Sequence, residues 1–193
     1  MPQQLVPPPI NRIFFVGVDL GQRGSYTAIV VLERFDEPPS HTDMLRGKDF
    51  HRRYVVRQAE RIPLGTPYSE VVTRLKHITQ KLSEIAPCIL VVDESGGGIP
   101  VVESIRKEVQ CTLVPIMITS GQTASAGNVP RSVLITKVQV MAERDELEIA
   151  AGCRDIEALT RELAELTLDR KPSGQSDDLA MALSLATWRA KVR

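Results

Sequence analysis

Four acidic residues stand where acids are costly. Asp19 lies in the apolar run Ile13-Phe14-Phe15-Val16-Gly17-Val18-Asp19-Leu20, just before Gly21. Asp93 follows Cys88-Ile89-Leu90-Val91-Val92, the most hydrophobic run of the chain. Asp177 and Asp178 are adjacent at the head of a segment rich in Ala and Leu. A buried carboxylate needs a partner or a cation. Several brought together repel one another unless a divalent ion neutralises them, and all-oxygen ligation suits Mg²⁺ or Mn²⁺. Two such ions about 4 Å apart can activate a water and stabilise the leaving oxygen of a phosphodiester. Each acid also has an ordinary structural role. A strand-end Asp commonly bonds a turn backbone. Acids in a first helical turn complement the helix dipole, and Ser176 can cap the helix. Strand acid, strand-end acid and helix-start acids in one chain favour a shared site. Asp177 and Asp178 would point about 100° apart on a helix, so which of them ligates stays open.

The elements that must position these acids follow from periodicity and punctuation. Ile13–Leu20 reads as a buried strand, and Tyr26–Leu32 as a second strand paired with it as a hairpin. Pro38-Pro39 opens a loop to Gly47. His51–Ile62 alternates basic and apolar residues, as a one-sided strand does. Thr66-Pro67 starts a helix whose Val71, Val72, Leu75, Ile78 and Leu82 share one face, and Pro87 ends it. Cys88–Val92 is a central strand ending at Asp93. Val101–Val109 is a short helix. Leu113–Ile118 is a fifth strand, placed at an edge because Pro115 lacks a ladder donor. Val129–Met141 is helical, Leu147–Ala150 a short strand or turn, and Ile156–Leu166 a helix or strand. A final helix runs from Ser176 to about Ala190. Adjacent central strands bring Asp19 and Asp93 to their carboxyl ends, where open α/β sheets form sites.

Composition bounds the class. The chain has 193 residues with 24 Lys+Arg against 24 Asp+Glu, so its net charge is zero. That size fits one domain, here residues 13–193 behind a Pro-rich tail at 1–12. No apolar run is long enough to span a membrane, and residues 1–9 do not read as a signal peptide. Cys88, Cys111 and Cys153 match no disulfide or zinc spacing and read as small buried hydrophobes. There is no G-x-x-x-x-G-K-[ST] segment, so a P-loop ATPase is not supported.

Neutrality excludes a global field that attracts nucleic acid and makes local segregation the question. Residues 46–61 carry Arg46, Lys48, Arg52, Arg53, Arg57 and Arg61. Arg131 and Lys137 share one helix. Arg52, Arg53, Arg57, Arg131 and Lys137 are the candidate DNA contacts. Aromatic residues are only 4%, which disfavours base stacking and favours contact with the backbone.

Five segments in order carry a family resemblance. They are Val16-Gly17-Val18-Asp19-Leu20-Gly21-Gln22, Tyr54 to Tyr68, Val91-Val92-Asp93-Glu94-Ser95-Gly96-Gly97-Gly98, Val129-Pro130-Arg131-Ser132-Val133-Leu134, and Ser176-Asp177-Asp178-Leu179-Ala180-Met181-Ala182-Leu183. Together they resemble the nuclease domain of phage terminase large subunits, over nearly the whole chain after the tail. The resemblance implies an α/β, ribonuclease-H-like fold: a central mixed five-stranded sheet with helices on both faces. It implies a metal-dependent DNA endonuclease using two Mg²⁺ or Mn²⁺. Asp19 would bridge both ions. Asp93 and Asp178 would complete the catalytic set, with Asp177 a ligand or close neighbour. The implied partners are double-stranded DNA and a separate ATPase motor or other packaging proteins, in a bacterial cytoplasm with a phage or prophage origin. Many relatives carry a further acid where this chain has Gly24-Ser25-Tyr26. A Holliday-junction resolvase shares the fold and acids. The loops at 17–25 and 93–98 also resemble the phosphate loops of actin- and sugar-kinase-type proteins, and a catalytically dead DNA-binding scaffold is a further rival.

Overall fold

The computed structural model describes residues 10–21, 24–39, 45, 49–95, 98–121, 123–125, 127–166 and 176–191. Among the described residues there are seven strands and five helices. The strands are β1 (Ile10–Asp19), β2 (Thr27–Glu37), β3 (His51–Ile62), β4 (Cys88–Asp93), β5 (Thr112–Thr119), β6 (Asn128–Pro130) and β7 (Leu147–Ile149). The helices are α1 (Tyr68–Ser83), α2 (Ile99–Glu108), α3 (Arg131–Glu143), α4 (Ile156–Ala164) and α5 (Asp178–Ala190). The strands form one mixed sheet in the order β6-β5-β4-β1-β2-β3-β7. β1–β2–β3 is antiparallel, while β4, β5 and β6 run parallel to β1.

The sheet is larger than the five strands expected from the sequence. β6 and β7 have three residues each, too few to display a period, and they form only by pairing with β5 and β3. β1 begins at Ile10, so residues expected in the tail already belong to the strand. Residues 1–9 and most of the loop expected between Pro38 and Gly47 lie outside the described residues. β5 is not the edge strand, yet Pro115 fits it. Ile116 accepts a bond from Glu94 N–H on the β4 side, so the Pro115 nitrogen points the other way. There β6 pairs only with Met117–Thr119. No ladder bond is lost.

β1 is buried on both faces because helices cover both. Phe14, Val16 and Val18 pack with Ile29, Val31, Leu90 and Val92 under α1 and α2. Phe15, Ala28, Val30, Leu32 and Val56 pack under α3, α4 and α5. α5 is buried all round from Leu179 to Thr187, as an Ala/Leu helix without a polar stripe must be. Its backbone approaches β1 at Gly17, where a Cβ atom would stand 1.8 Å from the Ala182 carbonyl oxygen. That contact seats the head of α5 beside the end of β1. Among the described residues no helix is long and apolar enough to cross a membrane.

The far end of β2 and β3 is held by ion pairs. Asp36 is 7% exposed and accepts from Arg52 at 2.8 and 3.3 Å and from Asn11 at 3.0 Å. Arg52 hydrogen bonds hold its carboxyl below the usual range, against the opposing effect of burial. A depressed folded value adds stability above the unfolded value and loses it as pH falls through the folded one. Asp36→Asn should therefore lower the stability measured by urea unfolding at pH 7, by about 1 kcal/mol because Arg52 is solvated. The same variant should lose less stability than wild type below about pH 4. A parallel decline of both proteins in acid would contradict this.

Candidate metal centre

The register of β1 and β4 pairs Val18 with Val92, so Asp19 and Asp93 are the next residues at the carboxyl ends of adjacent parallel strands. α5, laid across β1 at Gly17, brings Asp177 and Asp178 to the same place. The convergence shows in the electrostatics of Asp19. Burial pushes its carboxyl well above the usual range, and the charges of Asp93, Asp178 and Asp177 push it further. The Arg131 guanidinium pulls part of the way back. No described donor is hydrogen-bonded to the Asp19 carboxylate.

The other three acids have protein partners. Asp93 Oδ1 accepts the Ser95 N–H at 2.8 Å, the turn bond expected of a strand-end Asp. Asp177 Oδ2 accepts from Arg131. Ser176 Oγ donates to Asp178 Oδ2 at 2.5 Å. Burial raises the Asp178 carboxyl, while that bond, Arg61 and the Tyr26 N–H oppose the rise. Ser176 was expected as the helix cap. The cap position falls on Asp177, whose side chain makes no capping bond because it is turned to Arg131.

These residues fit a hard divalent cation in kind. They are carboxylates only, gathered at one strand edge, and their mutual repulsion is only partly offset by arginine. Among the described residues no three acids, histidines or cysteines stand close enough to enclose an ion. Asp177 and Asp178 face their own partners, so ligation requires rotation of side chains already beside the site.

The basic residues divide into two groups. On β3, Arg52 pairs with Asp36, Arg53 with Glu37 and Glu148, and Arg57 with Glu33, which also holds Arg12. The arginines expected to meet phosphate carry their own counter-ions, because β2 runs beside β3 with Asp36 opposite Arg52 and with Glu37 and Glu33 within reach of Arg53 and Arg57. Arg131 stands at the acidic cluster. Its Nε is buried without a hydrogen-bond partner, and Nη1 donates to the thioether of Met181. Lys137 lines an open cavity of about 530 Å³ with Arg144 and Lys191. Burial, then Lys191, lower its pKa.

Sequence reasoning missed Glu162. It is 3% exposed and joins Arg61 to the first turn of α5. A signal existed: Glu162 follows Leu159 by three residues, on the apolar stripe of an amphipathic helix.

The sheet order, the helices on both faces and the acids at the central strand ends define a ribonuclease-H-like fold. No family model and no curated protein matches the chain. Solved structures do. The human cytomegalovirus terminase nuclease domain, Mn soaked, aligns with a TM-score of 0.56 at 11% identity, over 90% of this chain and 82% of that one. The inhibitor-bound, Mn-soaked form aligns at 0.54 and 14% identity, over 92% and 83%. A further structure of that domain aligns at 0.53 and 10%, over 90% and 81%. At these identities the likeness establishes the fold.

Proposed function

We propose that this chain is a divalent-metal-dependent endodeoxyribonuclease of the terminase type, acting in the processing or packaging of phage DNA. One observation carries the reading: four carboxylates converge at the ends of β1 and β4 under the head of α5, and three of them oppose the charge of Asp19. The neighbouring folds, which belong to a viral terminase nuclease domain soaked with Mn, support it. Two bound Mg²⁺ or Mn²⁺ ions would supply an activated water and charge stabilisation for the leaving oxygen.

The chain's own residues divide the remaining work. Asp19, Asp93 and Asp178 would hold the ions, which would offset the charges that raise the Asp19 carboxyl. Asp178 is the better candidate ligand of its pair, since Asp177 is bound to Arg131. Arg131 sets a positive charge beside the cluster through its pair with Asp177, and a phosphate oxygen would be drawn to that side of the site. Lys137, on the same helix, would contact DNA from the open cavity that it lines with Arg144 and Lys191. Double-stranded DNA is the proposed substrate, with a separate ATPase motor as partner. Arg52, Arg53 and Arg57 serve the sheet before they serve DNA.

Plasmid nicking tests the reading. Wild type should nick supercoiled DNA with Mn²⁺ or Mg²⁺ and stop with EDTA. Asp93→Ala and Asp178→Ala should each lose activity about 100-fold or more. A pure wild type inert with both metals, or variants that cut at its rate, would sink it.

A further inference from the structure

We propose that Glu162 on α4 is a positioning residue for the acidic cluster, capping α5 from a neighbouring helix so that neither Asp177 nor Asp178 has to cap the helix they lead. The inference rests on the metal-centre reading above. The first N–H groups of a helix have no partner inside it, and a buried one must find an acceptor elsewhere. A Ser or Asp at the cap position ordinarily provides it. In α5 neither local group does. Ser176 Oγ is bonded to Asp178, and Asp177 to Arg131. The acceptor comes from outside: Glu162 Oε2 takes the buried Ala180 N–H at 2.8 Å.

The other oxygen of Glu162 pairs with Arg61 on β3. Arg61 is anchored three ways. Its own N–H donates to Asp155 Oδ2 at 2.8 Å, at the start of α4. Its guanidinium lies 5.2 Å from the centre of the Tyr26 ring. It also bears electrostatically on Asp178, as does Glu162 itself. One carboxylate therefore ties β3, α4 and the head of α5 together, one turn from the proposed ligands. Two donors approach its two oxygens, so an amide cannot replace it: a Gln would turn an NH₂ group toward Arg61.

A role in position must be separated from one of charge, since removing any nearby acid weakens cation binding. Glu162→Asp keeps the charge and withdraws the carboxylate by one methylene. Glu162→Gln with Arg61→Gln removes one charge of each sign. Manganese binding by calorimetry on the metal-free protein is the readout, with circular dichroism to confirm the fold. Both variants should bind Mn²⁺ about tenfold more weakly than wild type. In nicking assays, the Mn²⁺ concentration for half-maximal activity should rise by the same factor, with little loss of rate at saturation. Wild-type Mn²⁺ affinity in folded Glu162→Asp, or its return in the charge-balanced double variant, would overturn the proposal. A wild type that binds no Mn²⁺ would instead overturn the metal-centre reading.

Discussion

Asp19→Asn is expected to abolish DNA nicking and, in the same protein, to raise the melting temperature measured in EDTA. The loss of activity should be on the order of 10³-fold, since the central carboxylate supports several kcal/mol of charge stabilisation and each tenfold in rate is about 1.4 kcal/mol. The gain in stability has a different origin. Burial, then Asp93, Asp178 and Asp177, raise the Asp19 carboxyl well above its ordinary value. A raised folded value costs nothing below the unfolded one, because the acid is neutral in both states. Stability is lost as pH rises through the folded value and the buried group must ionise. Asn has the same shape and no charge. The advantage of the variant in EDTA should therefore be largest near neutral pH and shrink in acid. Added Mn²⁺ should reverse the order, since an ion bound only by the folded wild type stabilises it by mass action. Thermal melts at several pH values, with EDTA or Mn²⁺, decide the point. A variant less stable than wild type in EDTA would show that Asp19 is a structural acid and not a strained functional one.

Gly17→Ala is expected to be among the most damaging single substitutions in the chain. The added Cβ would stand 1.8 Å from the Ala182 carbonyl oxygen, 2.9 Å from its carbon and 3.0 Å from the Ala186 nitrogen. These are backbone atoms of a helix that is buried from Leu179 to Thr187, so no side chain can rotate to make room. α5 must move off β1, losing contact with Phe15, Ala28 and Val30. The cost should be about 3 kcal/mol or more, at the upper end for overpacking. Because α5 carries Asp177 and Asp178, variant protein that remains folded should also bind Mn²⁺ more weakly. Urea unfolding measures the first effect and calorimetry the second. A midpoint within error of wild type would mean that the strand and helix are less tightly apposed than this packing requires.

The acids were legible because their neighbours made them anomalous. An Asp ending a run of Val and Ile must be explained wherever the run goes, and both Asp19 and Asp93 end such runs. Glu162 was harder to find. It sits among residues of ordinary helical character, and its meaning lies in the Ala180 N–H, eighteen residues away. The pairing of the basic strand was hidden for a related reason. Arg52, Arg53 and Arg57 form a charged row in one dimension. Only the pairing of β2 with β3 brings Asp36, Glu37 and Glu33 within reach of them. β6 and β7 went unresolved into strands because three residues show no period and pair only when a neighbour is already in place.

By itself the chain's sequence determined the central strands, through its apolar runs, and the placing of acids at their ends. Periodicity and punctuation act over a few residues, so they survive in a linear reading. Tertiary structure alone decided which charges remain free. A charge is neutralised by whatever stands beside it, and for Arg131, Asp177, Arg61 and Glu162 that neighbour comes from another element.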